Sequence, residues 1–161
     1  MVTACWCSFL NFAQKMLTKL LCLLFTFMAL TSHAQSDTLS KKKYHWGRST
    51  QDTTYGYAQG VLVDNILYVS GVPGGGKDMG TQLRQAYRGI EATLKAYGLD
   101  FRHVVKETVM TTDIDALALN NEVRKAFYKG DYPAASWMQV TRLLMPAALV
   151  EVEVIAHLPK K

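Results

Sequence analysis

The stretch Val150-Glu151-Val152-Glu153-Val154-Ile155-Ala156 sets Val150, Val152 and Val154 against the two glutamates. Successive side chains of a strand point to opposite faces, so this reads as a closing strand with one apolar face. Its partners lie upstream. Ser136 to Val140 reads as another closing strand, and Val104 to Thr111 as a buried one. Between them, Asp113 or Asp115 can cap a helix that runs to about Tyr128, where Lys129-Gly130-Asp131 breaks it. From Asp78 to Tyr97, Met79, Leu83, Ala86, Tyr87, Ile90, Leu94 and Tyr97 recur at helical spacing, and Gly98 supplies the stop. Tyr55 to Val63 and Ile66 to Ser70 flank Asp64-Asn65, a hairpin turn, and an extra strand is expected near Lys43 to Arg48. The order is strand-strand-helix-strand-helix-strand-strand: an α+β domain with two helices on one face of the sheet. The opposite face also needs a cover, and at this size a second copy of the chain is the expected one.

The N-terminus reads differently. The first acidic residue is Asp37, and only Lys15 and Lys19 carry fixed side-chain charge before it. An apolar run from Leu20 to Leu30 follows, then Ser32-His33-Ala34, a small-x-small cleavage site. A basic flank, about 11 mostly apolar residues and a small-residue site make up a secretory signal. The run is too short for a membrane span, which needs about 20 residues. Residues 1–34 are therefore expected to be an N-terminal extension and signal, residues 35–42 a linker, and residues 43–161 the domain. Export to the periplasm or the outside follows. Met16 begins a complete signal by itself, so either Met1 or Met16 could be the start. All three cysteines, Cys5, Cys7 and Cys22, precede the cut, which leaves no disulfide framework, thiolate metal site or cysteine nucleophile.

Removing 34 of the 161 residues leaves 127, enough for one domain with a sizeable core. The net charge of +5 falls to +3 with the loss of Lys15 and Lys19. Part of the remainder sits at Lys41-Lys42-Lys43 and Lys160-Lys161, solvated ends rather than a nucleic-acid footprint.

Gly71-Val72-Pro73-Gly74-Gly75-Gly76-Lys77-Asp78 approaches a phosphate-binding loop between a strand and a helix. Asp78, however, replaces the hydroxyl residue and would set a negative charge against the phosphates, so the stretch reads as a connector capped by Asp78. His45, His103 and His157 are scattered, with no pair at ligand spacing. Ser70 lacks the glycine pattern of a nucleophile elbow. No metal or cofactor is expected. Glu151 and Glu153 share a strand face; partly buried, at least one could serve as acid or base, and solvent-facing, neither would.

Over nearly all of residues 43 to 158 the chain resembles the RidA (YjgF) family. The resemblance rests on Tyr57-Ala58-Gln59-Gly60, Leu67-Tyr68-Val69-Ser70-Gly71, Gln82, Asn121-Glu122-Val123, Pro133-Ala134-x-Ser136 and Val150 to Ala156, in that order. It implies a chorismate-mutase-like fold with a mixed sheet, and a homotrimer with a ligand cleft at each subunit interface. For archetypal members it also implies hydrolysis of imines and enamines to ketoacids and ammonia. Carried over by position, Tyr57, Ser70, Gly71 and Asn121 match cleft residues, and Glu151 the carboxylate that directs water.

The departure is Ala135, where deaminating members carry an arginine that grips the substrate carboxylate. Such a charge-assisted contact is worth roughly 1.5–3 kcal/mol. Arg142, seven positions on, would face away from Ala135 on a continuous strand. Trp137 would share the face of Ala135 and is expected to fill part of the cleft. An extra residue near Leu144-Met145-Pro146 and a shorter loop before Pro133 would remodel the rim. Three readings follow. One is an exported trimer that binds a small metabolite without the usual deaminase activity. Another is a deaminase-like hydrolase of altered specificity that uses Glu151. The third is a structural trimer whose cleft Trp137 closes.

Overall fold

The computed structural model describes residues 18–19, 39–47 and 54–159. The chain divides into Met1–Thr38 and Leu39–Lys161. Thr18 and Lys19 are helical; otherwise the expected signal segment and residues 35–38 of the linker lie outside the described residues. Among the described residues no helix is long and apolar enough to cross a membrane.

Among the described residues the second unit holds six strands, β1 (Lys41–Tyr44), β2 (Gly60–Val63), β3 (Ile66–Pro73), β4 (Val104–Thr111), β5 (Ala134–Gln139) and β6 (Val150–His157). They form one sheet in the order β1-β2-β3-β6-β4-β5. Only the β4–β5 pair is parallel, so the sheet is mixed as expected. β1 begins at Lys41, inside the stretch read as linker, and ends at Tyr44. The β2–β3 hairpin turns at Asp64-Asn65, with Asp64 in the left-handed region at φ 52°.

Helix α1 (Met79–Ala96) opens on Asp78, whose side chain accepts the Thr81 N–H at 2.8 Å. It closes on a Schellman motif. Leu99 N–H reaches the Leu94 carbonyl and Gly98 N–H that of Lys95, both at 3.0 Å, with Gly98 at φ +72°. Its buried face, including Leu83, Tyr87, Ile90 and Leu94, packs with the valines of β6 and with Leu67 and Val69 of β3 in one core. Burial alternates along β6, with Val150, Val152, Val154 and Ala156 buried, Glu151 and Ile155 half-buried, and Glu153 and His157 exposed.

The expected second helix is two helices, α2 (Ile114–Leu119) and α3 (Asn121–Tyr128). Asn120 ends the first and begins the second at φ −102°, ψ 10°, with its Nδ2 donating to the Ala116 carbonyl at 2.9 Å. An asparagine side chain that bonds nearby backbone competes with helix continuation. A short 3₁₀ turn, Phe101–His103, precedes β4.

Candidate functional site

β3 carries an irregularity between Val69 and Val72, where its register with β6 shifts. A bulge re-aims the residues within it. Here those residues are Ser70 and Gly71, and Glu151 on β6 lies alongside, paired in register with Pro73 and Met110. Gly71 leaves the room that the Glu151 carboxylate occupies: a Cβ there would collide with it. The Ser70 hydroxyl donates to the Ala58 carbonyl at 2.7 Å, and Ser70 N–H to the Gln59 carbonyl at 3.0 Å. The bulge is thereby tied to the segment that carries Tyr57.

These pieces enclose a cleft of about 350 Å³ that contains Tyr57, Ser70, Gly71 and Glu151. Gln59 also lines it; the residue is 2% exposed and its Nε2 makes no hydrogen bond to a described residue. Burial raises the Glu151 pKa above the ordinary glutamate value, and the charge of Glu153 adds to the rise. Leu144 and Met145, from the stretch expected to remodel the rim, stand at the cleft.

Asn121, Ala135 and Trp137 do not join this group within one chain. Ala135 and Trp137 pair with Glu107 and Val109 of β4, both fully buried on the helix side of the sheet. They do share a face. Ala135 is exposed, whereas Trp137 packs against the core beneath Arg124, whose guanidinium lies 5.6 Å from the indole. Trp137 is thus not among the residues lining the Glu151 cleft, because β5 turns it toward α3. Asn121 begins α3. The Oδ1 of Asn121 and the Nε1 of Trp137 are buried without a hydrogen-bond partner among the described residues. β5 ends at Gln139, so Arg142 is outside the strand and the alternation argument does not reach it.

Sequence reading missed a buried polar cluster. Glu107, fully buried, accepts the hydroxyls of Tyr87 and Tyr128 at 2.7 Å each and Arg124 Nε at 2.6 Å. Burial alone would lower the Arg124 pKa; the bond and charge of Glu107 outweigh it and the net shift is upward. Burial and the Glu107 charge also push both tyrosines well above their ordinary value. The acid inside a strand and the arginine on a helix carried no local signal that they meet. The connector before α1 is held by Gln82, which donates to the Gly76 and Ala147 carbonyls and accepts Leu149 N–H.

Comparison with known proteins places this geometry. The profile of the family described as Endoribonuclease L-PSP matches residues 48–158. A rat 2-iminobutanoate/2-iminopropanoate deaminase is 38% identical, over 62% of this chain and 78% of its own. A Mycobacterium tuberculosis member of the YjgF/YER057c/UK114 family superposes with a TM-score of 0.70 at 31% identity, over 74% of this chain and all of that one. Escherichia coli TdcF, solved with bound serine, gives a TM-score of 0.60 at 31% identity, over 64% of this chain and 88% of its own. The match spans the whole sheet from β2 to β6 together with its helices, and the chain belongs to the Endoribonuclease L-PSP family, that is, the RidA/YjgF family.

Proposed function

We propose that the protein is an exported hydrolase of the imine and enamine deaminase type, with Glu151 directing the attacking water. The observation that carries this is the Glu151 carboxylate, half-buried in a cleft with a raised pKa beside Ser70, Gly71 and Tyr57. A carboxylate whose pKa is moved toward neutrality is suited to exchange protons with water. Glu151 takes a proton from water as its oxygen adds to the imine carbon and passes that proton to the nitrogen. The hydroxyl proton of the resulting carbinolamine moves to the amino group in the same way, the C–N bond breaks, and ammonia and a carbonyl product leave. Relatives named as 2-iminobutanoate/2-iminopropanoate deaminases support the reaction class.

Asn121, Ala135 and Trp137 enter through a homotrimer. They lie on elements away from the Glu151 cleft, and the orphaned Asn121 Oδ1 and Trp137 Nε1 are groups that a ligand or second chain could meet. Export with cleavage near Ala34 rests on the charge pattern and apolar run of the N-terminus. Sequencing the N-terminus of secreted material tests it.

Ala135 favours a second reading. Without an arginine at this position the protein would bind a small metabolite and leave 2-iminopropanoate unhydrolysed. The deciding experiment follows ammonia release from freshly generated 2-iminopropanoate, 2-iminobutanoate and imines of larger amino acids. Turnover that falls at least a hundredfold in Glu151→Gln supports the hydrolase. Absence of turnover on the whole series, with ligand binding retained, establishes the second reading.

A further inference from the structure

The Glu151 cleft is bounded by more apolar surface than a three- or four-carbon imine can cover. Trp46 and Tyr55 line it while 37% and 59% exposed, and so do Leu144 and Met145 at 62% and 47%. Large apolar side chains this exposed around a single opening mark a binding surface rather than a solvated one. Trp46 is anchored. Its Nε1 donates to Thr93 Oγ1 at 3.0 Å, and its ring lies so close over Gly89 of α1 that a Cβ there would clash. The ring is therefore a wall held by α1 rather than a free surface side chain. The volume of about 350 Å³ falls in the range of pockets that enclose whole small-molecule ligands, about 300–1,000 Å³. The cleft's polar groups include the half-buried Glu151 carboxyl and the buried Gln59 carboxamide, whose Nε2 has no hydrogen-bond partner among the described residues.

We propose that this cleft takes a substrate with a bulky apolar or aromatic side group, lodged against Trp46, Tyr55, Leu144 and Met145, and with a hydrogen-bond acceptor toward Gln59. The proposal rests on the reading of Glu151 as the reaction centre and adds the substrate class. The side group provides the affinity by desolvating rim and wall together, while the acceptor orients the reacting carbon toward Glu151. Small aliphatic imines leave the aromatic wall wet and bind weakly.

Binding without turnover tests this separately from the hydrolase reading. Calorimetry on the purified protein compares two stable pairs, 3-phenylpropanoate with propanoate and 3-phenylpropanamide with propanamide. The expected result is at least tenfold tighter binding of the phenyl member in one or both pairs. The double variant Leu144→Ser/Met145→Ser should cut that preference to under threefold, with its melting temperature within about two degrees of the parent. Trp46→Ala should do the same if it folds, and the exposed rim variant decides if it does not. Equal binding of phenyl and methyl members, no binding of any probe, or a preference that survives the rim variant would overturn the proposal. A preference that holds while Glu151→Gln leaves ammonia release unchanged would instead sink the hydrolase reading alone.

Discussion

Gly71 and Glu151 compete for one volume. A methyl group at position 71 would occupy the space of the Glu151 carboxylate, which is the far end of a flexible side chain and can swing aside. Gly71→Ala should therefore leave the melting temperature nearly unchanged while ammonia release drops at least tenfold; a drop in stability with retained specific activity would show that the carboxylate position is not what matters. The raised pKa gives a second expectation. Burial, then the Glu153 charge, favours the protonated form in the folded state. The stability from this carboxyl is thus present below its unfolded pKa and lost as pH rises through the folded one. Glu151→Gln, neutral throughout, should melt above the parent at about pH 8, with the gap closing toward about pH 4. Calorimetric scans at both pH values check the sign. Alternation put Glu151 and Glu153 on one strand face but left their burial open, and the meeting of Glu151 with Gly71, eighty residues away, was implied only by the family resemblance. The placement of Trp137 was only half legible. Alternation correctly set it beside Ala135 but said nothing of which sheet face the cleft occupies.

Helix α3 is joined to strand β4 by one ion pair. Arg124, its side chain 9% exposed, donates Nε to a fully buried Glu107 and covers Tyr128 and Trp137 with its guanidinium. Glu107→Gln keeps an acceptor for the two tyrosine hydroxyls but leaves the cation without its counter-charge. Breaking a buried pair from one side costs about 3–5 kcal/mol, and the low end is expected because the guanidinium edge reaches the surface. Urea unfolding measures it; a loss under 1 kcal/mol would show the pair to be dispensable. Elements set by near neighbours were readable in the sequence: the Asp64-Asn65 hairpin, the Asp78 cap, and the Gly98 stop of α1. The break at Asn120 was not, since a cap is one residue in a run whose apolar spacing continues across it. The Glu107–Arg124 pair spans seventeen residues between a strand and a helix, so no periodicity could reveal it.

One chain carries Glu151 and Asn121 on surfaces that do not share a cleft, and this has a measurable consequence in an assembly. If each site in a homotrimer takes Glu151 from one subunit and Asn121 from the next, Glu151→Gln and Asn121→Ala spoil opposite halves. Each variant alone gives a trimer without an intact site. In trimers co-refolded from equal amounts, a site is intact only where an Asn121→Ala subunit supplies Glu151 to a neighbour that supplies Asn121. In a ring with random composition that happens at about one site in four, so about a quarter of parental activity should return. A site confined to one chain predicts no recovery. The uncovered side of the sheet, where Tyr68 is 46% exposed beside Ser70, Lys106 and Glu153, gives an independent handle. Tyr68→Asp, remote from the core, should lower the mass by light scattering toward a single subunit and remove the recovered activity with it, because a split site needs the assembly and not merely the fold. Parental activity that survives in Tyr68→Asp monomers with Glu151 and Asn121 both intact would place both halves in one chain after all.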